Sequence, residues 1–365
     1  MTTRLATDYL SARARFRAAA LRHRARTEAL AIDATGTRGE TLTIDMASLG
    51  PDDATRVVVV SSGTHGVEGH FGSAVQSALL ERDDLPLPAD TRLVLIHAVN
   101  PFGMAWDRRV NEDNVDQNRN FLCEGEAYRG APEGYAELNG LLNPPRPPRR
   151  LSLFLPRAAL AIATQGLAAL KQAVAAGQYD FPQGLFFGGA GPTCSHRLLS
   201  EALPRWVGDA ATVHHVDFHT GLGKRSTYKL FVDHGWGTEA LEVLGQTYGT
   251  DVVEPWEPEG GISYTIRGGL GTWCKALFPD RTYEVLAAEF GTEPVLTVIE
   301  GLHRENRAWH HADRDARVGV ATRARLRQIF CPDDPAWQRR CVRQGLAIVD
   351  TALSGRRKAT SPRTA

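Results

Sequence analysis

His65 and Glu68 lie three residues apart in the stretch Ser62-Gly63-Thr64-His65-Gly66-Val67-Glu68-Gly69. At that spacing an imidazole and a carboxylate can turn toward one cation, and the neighbouring glycines allow a tight passage from strand to helix. His219, in Val216-Asp217-Phe218-His219-Thr220-Gly221, would complete a His, Glu, His set. Such a set leaves a catalytic zinc one open position for water. Asp217 could orient a ligand from behind. Glu289, in Ala287-Ala288-Glu289-Phe290-Gly291, could take a proton from that water and return it to a leaving amine.

A further segment holds Arg109-Val110-Asn111 and then Val115-Asp116-Gln117-Asn118-Arg119-Asn120-Phe121. Guanidinium groups bind carboxylates bidentately and stabilise oxyanions, so beside a metal this segment would both hold an anionic substrate and lower the barrier. Taken singly, each feature has a plainer reading. A histidine can be satisfied by backbone, a glutamate can sit at a helix N-terminus, and an arginine-rich segment can be a solvated loop.

What gathers these residues is their placement. RVVVVSSG, TRLVLIHAVNP, ATVHHVDFHTG, YKLFVDH and RTYEVLAAEFGT read as strands. VEGHFGSAVQSALLER, PRAALAIATQGLAALKQAVAAG, SHRLLSEALPRW and the stretch from Pro294 to His310 read as helices. Buried strands alternating with helices predict a largely parallel sheet covered on both faces, with ligand groups at the carboxyl ends of its strands. An amphipathic helix over 8–33 and a hairpin or strand in GTRGETLTIDMASLG read as peripheral. The Gly-, Pro- and Arg-rich stretch over 123–160, centred on NPPRPPRR, reads as an extended surface loop inserted near the site. The organisation expected is one catalytic domain over 1–354 and a frayed tail over 355–365.

Lys plus Arg equals Asp plus Glu at 42 each, so no global field favours nucleic acid or an anionic membrane, and small molecules or short peptides are the expected partners. Oligomeric state stays open. Neither a secretory apolar core nor a run of about 18 apolar residues occurs, so a cytoplasmic location is expected. Five dispersed cysteines suit neither a disulfide framework nor a thiolate zinc site. His214, His215, His310 and His311 read as structural, His70 lies off the ligand register, His97 and His234 have no matching partner, and the glycines at 221–223 and 268–271 lack phosphate-loop spacing.

In order and in motif, SGTHGVEG, RRVNEDNVDQNRNF, DFHTGLG and AEFGT resemble the zinc carboxypeptidase superfamily, which also contains the succinylglutamate desuccinylase and aspartoacylase deacylases. Within it they look like a bacterial group of carboxypeptidase-like proteins, and the likeness runs over residues 60 to 310. The resemblance implies a three-layer α/β/α sandwich around a mixed, mostly parallel eight-stranded sheet. It implies one Zn2+ held by His65, Glu68 and His219, with Glu289 as general base and Arg109 stabilising the oxyanion, Arg108 being the alternative in the adjacent position. Asn118 and Arg119 match the pair that grips a substrate carboxylate. The family's peptidases also use a mobile tyrosine upstream of the catalytic glutamate, for which Tyr264 in Gly260-Gly261-Ile262-Ser263-Tyr264 is the candidate. No residue is assigned to a side-chain pocket.

The function expected is hydrolysis of an amide next to a free carboxylate. A peptide's C-terminal residue and an N-acyl amino acid both present that arrangement, so carboxypeptidase and deacylase remain side by side. A non-catalytic binding module with the same fold, or a scaffold using the Arg/Pro loop, are the competing classes.

Overall fold

The computed structural model describes residues 3–149, 152–166, 174, 176–232, 238–255 and 266–355. Among them the strands are β1 (Arg26–Thr35), β2 (Thr41–Leu49), β3 (Arg56–Ser62), β4 (Thr91–His97), β5 (Thr212–Thr220), β6 (Tyr228–Val232), β7 (Val253–Pro255) and β8 (Thr282–Phe290). They form one sheet in the order β1-β2-β4-β3-β5-β8-β6-β7. Valine and isoleucine runs cannot leave either face in water, so β3 and β4 take the centre, where every residue except Arg56 is buried. The pairs β3–β4, β3–β5, β5–β8 and β6–β7 are parallel, and β1–β2, β2–β4 and β6–β8 are antiparallel. The sheet is therefore mixed and mostly parallel.

The main helices are α1 (Tyr9–Arg22), α2 (Gly69–Leu80), α3 (Tyr135–Leu142), α4 (Phe154–Gln165), α5 (Cys194–Val207), α6 (Leu270–Leu277), α7 (Val295–His311), α8 (Arg317–Phe330) and α9 (Pro335–Ser354). Successive strand side chains point to opposite faces. Val58 and Val60 accordingly pack with Phe16 of α1, Phe71 of α2 and Trp337 of α9, whereas Val57 and Val59 pack with Leu203 of α5 and Trp273 of α6. Helices thus cover both faces, giving the α/β/α sandwich. A further cluster joins α3, α4, α7 and α8 over Val67, through Leu138, Phe154, Leu302 and Phe330.

Three expectations need correcting. The N-terminal helix does not run over 8–33: it stops at Arg22, Arg24 takes a left-handed φ of 54°, and β1 begins at Arg26. The alanines of TEALAIDAT tolerate a helix, but pairing with β2 in register from Arg26↔Ser48 decides the outcome. Nor is the hairpin peripheral, because β2 pairs with β4 on its other edge and is buried from Leu42 to Ser48. The 123–160 stretch is not one extended loop. Tyr135, Leu138 and Leu142 fall on one helical stripe and bury it, so α3 forms before the Pro-rich run and α4 after it. Most of the helix expected beyond Gln165 lies outside the described residues, as do 356–365. No helix among the described residues is long and apolar enough to cross a membrane.

Trp337 shows how the sandwich supports the strand ends. Its ring is buried against Phe71, and its Nε1–H donates to the Gly291 carbonyl at 3.0 Å, two residues past Glu289. Trp337→Ala should lower the unfolding free energy by about 3–5 kcal/mol in a denaturant titration, and Trp337→Phe by about 1 kcal/mol.

Candidate active site

At the end of β3 the chain turns through Gly63, whose φ is +69°, into a 3-10 turn over Gly66–Glu68 that leads to α2. A Cβ on Gly66 would stand 2.2 Å from the backbone of Gly103, so only glycine lets the turn pass there. Gly66 N–H donates to the Arg109 carbonyl at 3.0 Å and Val67 N–H to that of Arg108 at 2.8 Å. The turn carrying His65 and Glu68 is thereby fixed to the arginine segment. In β5, His219 lies in register with Glu289 on β8, which sets the two side by side at the carboxyl ends of adjacent parallel strands.

These elements bring His65, Glu68 and His219 together, with one ligand atom from each within 4.8 Å of the others. Nδ1 of His65 lies 2.9 Å from Glu68 Oε1, Nδ1 of His219 lies 3.3 Å from Glu68 Oε2, and the two Nδ1 atoms are 3.3 Å apart. Each histidine is backed on Nε2 by a carboxylate: Asp116 at 3.2 Å from His65, and Asp217 at 2.6 Å from His219. Asp217 is held in turn by the hydroxyls of Ser61 and Thr64. Two imidazole nitrogens and a carboxylate converging on one point, each imidazole steered by an outer carboxylate, fit the donor set of a catalytic zinc site.

The charges follow from the same contacts. Burial alone would raise the Glu68 carboxyl, but His65 and His219 hold it well below the ordinary range. Burial likewise opposes ionisation of Asp116 and Asp217. Arg109 and His65 keep the first well below its usual value, and His219 brings the second down to about 2. Burial pulls His219 down, yet Asp217 and Glu68 leave it well above an ordinary histidine. Glu289 goes the other way. Burial raises it to about 7, and its Oε2 is buried without a partner.

The two adjacent arginines part company. Arg109 reaches the site, its Nη2 2.7 Å from His65 Nε2, its Nη1 3.3 Å from Glu68 Oε1 and its Nε 2.9 Å from Asp116 Oδ2. Arg108 points away, bonded to Glu305 at 2.7 Å and lying over the Trp309 ring at 3.9 Å. Asn118 and Arg119 line the same cavity as His65, Arg109 and Glu289, a space of about 150 Å³. The Asn118 side-chain oxygen accepts from Leu270 N–H at 3.0 Å, and the Arg119 carbonyl accepts from the Tyr179 hydroxyl at 2.8 Å. Gly268, at φ +71°, fits against Arg119 where a Cβ would stand 2.2 Å from its carbonyl oxygen, which gives this glycine a packing role. Tyr264 lies outside the described residues.

The profile of the family described as "Protein of unknown function (DUF2817)" matches residues 5–344. The chain belongs to the DUF2817 family. No curated protein matches it in sequence. Among solved structures, this DUF2817 chain is similar to thrombin activatable fibrinolysis inhibitor at 10% identity and a TM-score of 0.52, over 97% of this chain and 75% of that one. It is similar to carboxypeptidase A from Helicoverpa armigera at 12% identity, TM-score 0.45, over 89% and 74% of the two chains. A third likeness is to murein-tripeptide amidase MpaA from Escherichia coli O157, at 19% identity, TM-score 0.38, over 79% and 93%. The DUF2817 chain has the carboxypeptidase-like fold.

Several residues at the site were not singled out by spacing. Asp116 has no ligand spacing to His65, and its one local signal is a carboxylate seven residues from Arg109. Phe186, under both Arg109 and Arg119 at 5.4 and 5.8 Å, and the cavity walls from α3, α4 and α7 come from distant segments and left no local trace.

Glu289 generates a stability prediction for the metal-free chain. Its folded-state pKa is raised from 4.5 to about 7, so its contribution is present below 4.5 and is lost as the pH rises through 7. Between pH 5 and 8 the parent should lose roughly 2.5 kcal/mol more than Glu289→Gln in paired urea titrations. Equal pH dependence would refute the raised value.

Proposed function

We propose that this chain is a zinc-dependent amide hydrolase of the carboxypeptidase-like type, acting on a substrate whose free carboxylate adjoins the scissile bond. One observation carries the reading: Glu289, whose Oε2 is buried without a hydrogen-bond partner, lines the same cavity as His65, Arg109 and Arg119, beside the His65, Glu68, His219 cluster. One zinc ion held by those three residues supplies Lewis acidity, lowering the pKa of a water toward about 7.

The chain's own groups do the rest. Glu289 accepts the proton of the attacking water through Oε2 and delivers it to the leaving nitrogen. Its raised pKa suits both transfers near neutral pH. Arg109, at the cavity floor, donates to the oxygen that gains charge as the carbonyl is attacked. Asn118 and Arg119 fix the substrate carboxylate, the guanidinium supplying the charge and the amide a directed donor. An N-acyl amino acid deacylase uses the same groups, and the apolar character of the cavity favours that form.

Zinc content and turnover test the reading separately. The purified chain should carry about one zinc by elemental analysis, His65→Ala and His219→Ala should lose it, and Asp116→Asn should weaken it about 10–100-fold. Peptides with free and amidated C-termini, screened beside N-acyl amino acids, should show hydrolysis that falls about 10²–10⁴-fold in Glu289→Ala. Activity equal in that variant, or equal cleavage of amidated peptides, would overturn the general-base role or the carboxylate grip respectively.

A further inference from the structure

The face of the sheet covered by α5 and α6 carries a line of polar side chains through its apolar core. Side-chain alternation puts Ser61 of β3 beside Val57 and Val59, His215 and Asp217 of β5 beside Val213, and Tyr283 of β8 beside Val285. All four polar residues are buried. Polar groups cost stability in such surroundings unless each finds a partner, and these find one another. The Tyr283 hydroxyl lies 3.1 Å from His215 Nδ1, and His215 Nε2 lies 2.7 Å from Ser61 Oγ. Ser61 Oγ lies 2.6 Å from Asp217 Oδ1, and Asp217 Oδ2 lies 2.6 Å from Nε2 of His219. His214, the neighbouring histidine on β5, takes no part and pairs with Glu284 at 2.5 Å.

The direction of each bond follows from what each group can donate. A carboxylate only accepts, so Ser61 gives its single proton to Asp217, and its oxygen is left to accept from Nε2–H of His215. Burial brings His215 down to about 4, so the ring carries one proton near neutral pH. With that proton on Nε2, Nδ1 is an acceptor for the Tyr283 hydroxyl. The Cys274 thiol of α6 meets the same hydroxyl, and as a weak acceptor it leaves the phenolic proton to His215. At the other end His219 gives its Nε2 proton to Asp217. Its lone pair is then on Nδ1, the atom that lies 3.3 Å from both Glu68 Oε2 and His65 Nδ1. Turning the His215 proton to Nδ1 would turn Ser61 toward His215 and take a donor from Asp217.

We infer that Tyr283 and His215 are positioning residues for the metal centre: they direct the Ser61 proton onto Asp217, which holds the His219 ring with Nδ1 facing His65 and Glu68. This rests on the zinc hydrolase reading above for what the site holds, and it assigns work to two residues that touch neither ion nor substrate. Outer hydrogen bonds of this kind fix a ligand's tautomer and ring orientation.

Long-range proton–nitrogen NMR spectra of the zinc-loaded, isotope-labelled parent should place the protons of His215 and His219 on Nε2, the His215 signals being assigned by their loss in His215→Gln. Tyr283→Phe removes one oxygen and keeps the ring that stacks on Phe278. It should weaken zinc binding about 3–10-fold in chelator competition, the worth of one net hydrogen bond, and leave His215 as a mixture of tautomers. Ser61→Ala should weaken zinc binding about 10–100-fold. Adding Tyr283→Phe to Ser61→Ala should then cost less than about twofold more, because the path from the phenol is already cut. The same loss from Tyr283→Phe with and without Ser61, or no loss in either background, overturns the inference and leaves the hydrolase reading standing. So does a His215 proton on Nδ1 in the parent. A parent that takes up no zinc sinks the hydrolase reading; in that case, or where a thermal melt shows a variant unfolded, the His215 tautomer of the parent decides the inference.

Discussion

Three carboxylates buried in one site, Glu68, Asp116 and Asp217, with the half-buried Glu289 beside them, set the terms on which the rest of the structure is built. A buried carboxylate stays charged only where opposite charge and hydrogen bonds replace water. Asp116 has Arg109 and His65, Asp217 has His219 with Ser61 and Thr64, and Glu68 has both histidines and the Thr220 N–H at 3.0 Å. Three are thus held ionised, aligned on two imidazoles and converging where a dication would sit. For Glu289 the desolvation outweighs the nearby positive groups, its Oε2 accepts no hydrogen bond and Glu68 adds a like charge, so it keeps its proton to a higher pH. Environments that drive the pKa values of neighbouring groups apart separate ligands from a proton-transferring group.

The sheet makes that separation possible. The parallel register of β5 and β8 fixes His219 beside Glu289, while β3 delivers His65 and Glu68 in a turn whose N–H groups are held by the Arg108 and Arg109 carbonyls. These restraints are backbone hydrogen bonds and strand pairing, more rigid than long side chains, so the positions of His65, Glu68, His219 and Glu289 are set by the backbone.

Much of this was legible in the sequence because its signals are local. Unbroken runs such as RVVVV must be buried strands, and His65 and Glu68 follow closely on one of them while His219 and Glu289 stand at the ends of two others. What was not legible depends on pairing between distant segments. Arg26–Thr35 is alanine-rich enough to pass for a continued helix until β2 supplies its backbone partners. The Pro-rich run concealed α3 and α4, whose apolar stripes mean little until α7 and α8 are opposite them. Sequence could not choose between Arg108 and Arg109 either, since the choice rests on Glu305, some two hundred residues away.

That choice has a consequence for the cavity. Arg108 is fully buried, and its ion pair with Glu305 and its stacking on Trp309 both fall on α7. The same helix supplies Val298 and Leu302 to the apolar wall. Arg109, one residue on, faces the opposite way into the cluster of His65, Glu68 and His219. Two consecutive side chains therefore fasten the hydrocarbon wall to the charged floor. An unpaired buried Arg108 would cost several kcal/mol, so α7 is held where Glu305 can meet it. The residues packed around Glu289 in turn take water from its carboxyl, which raises it. The hydrocarbon side of the cavity and the acid–base behaviour at its base are two results of the same burial.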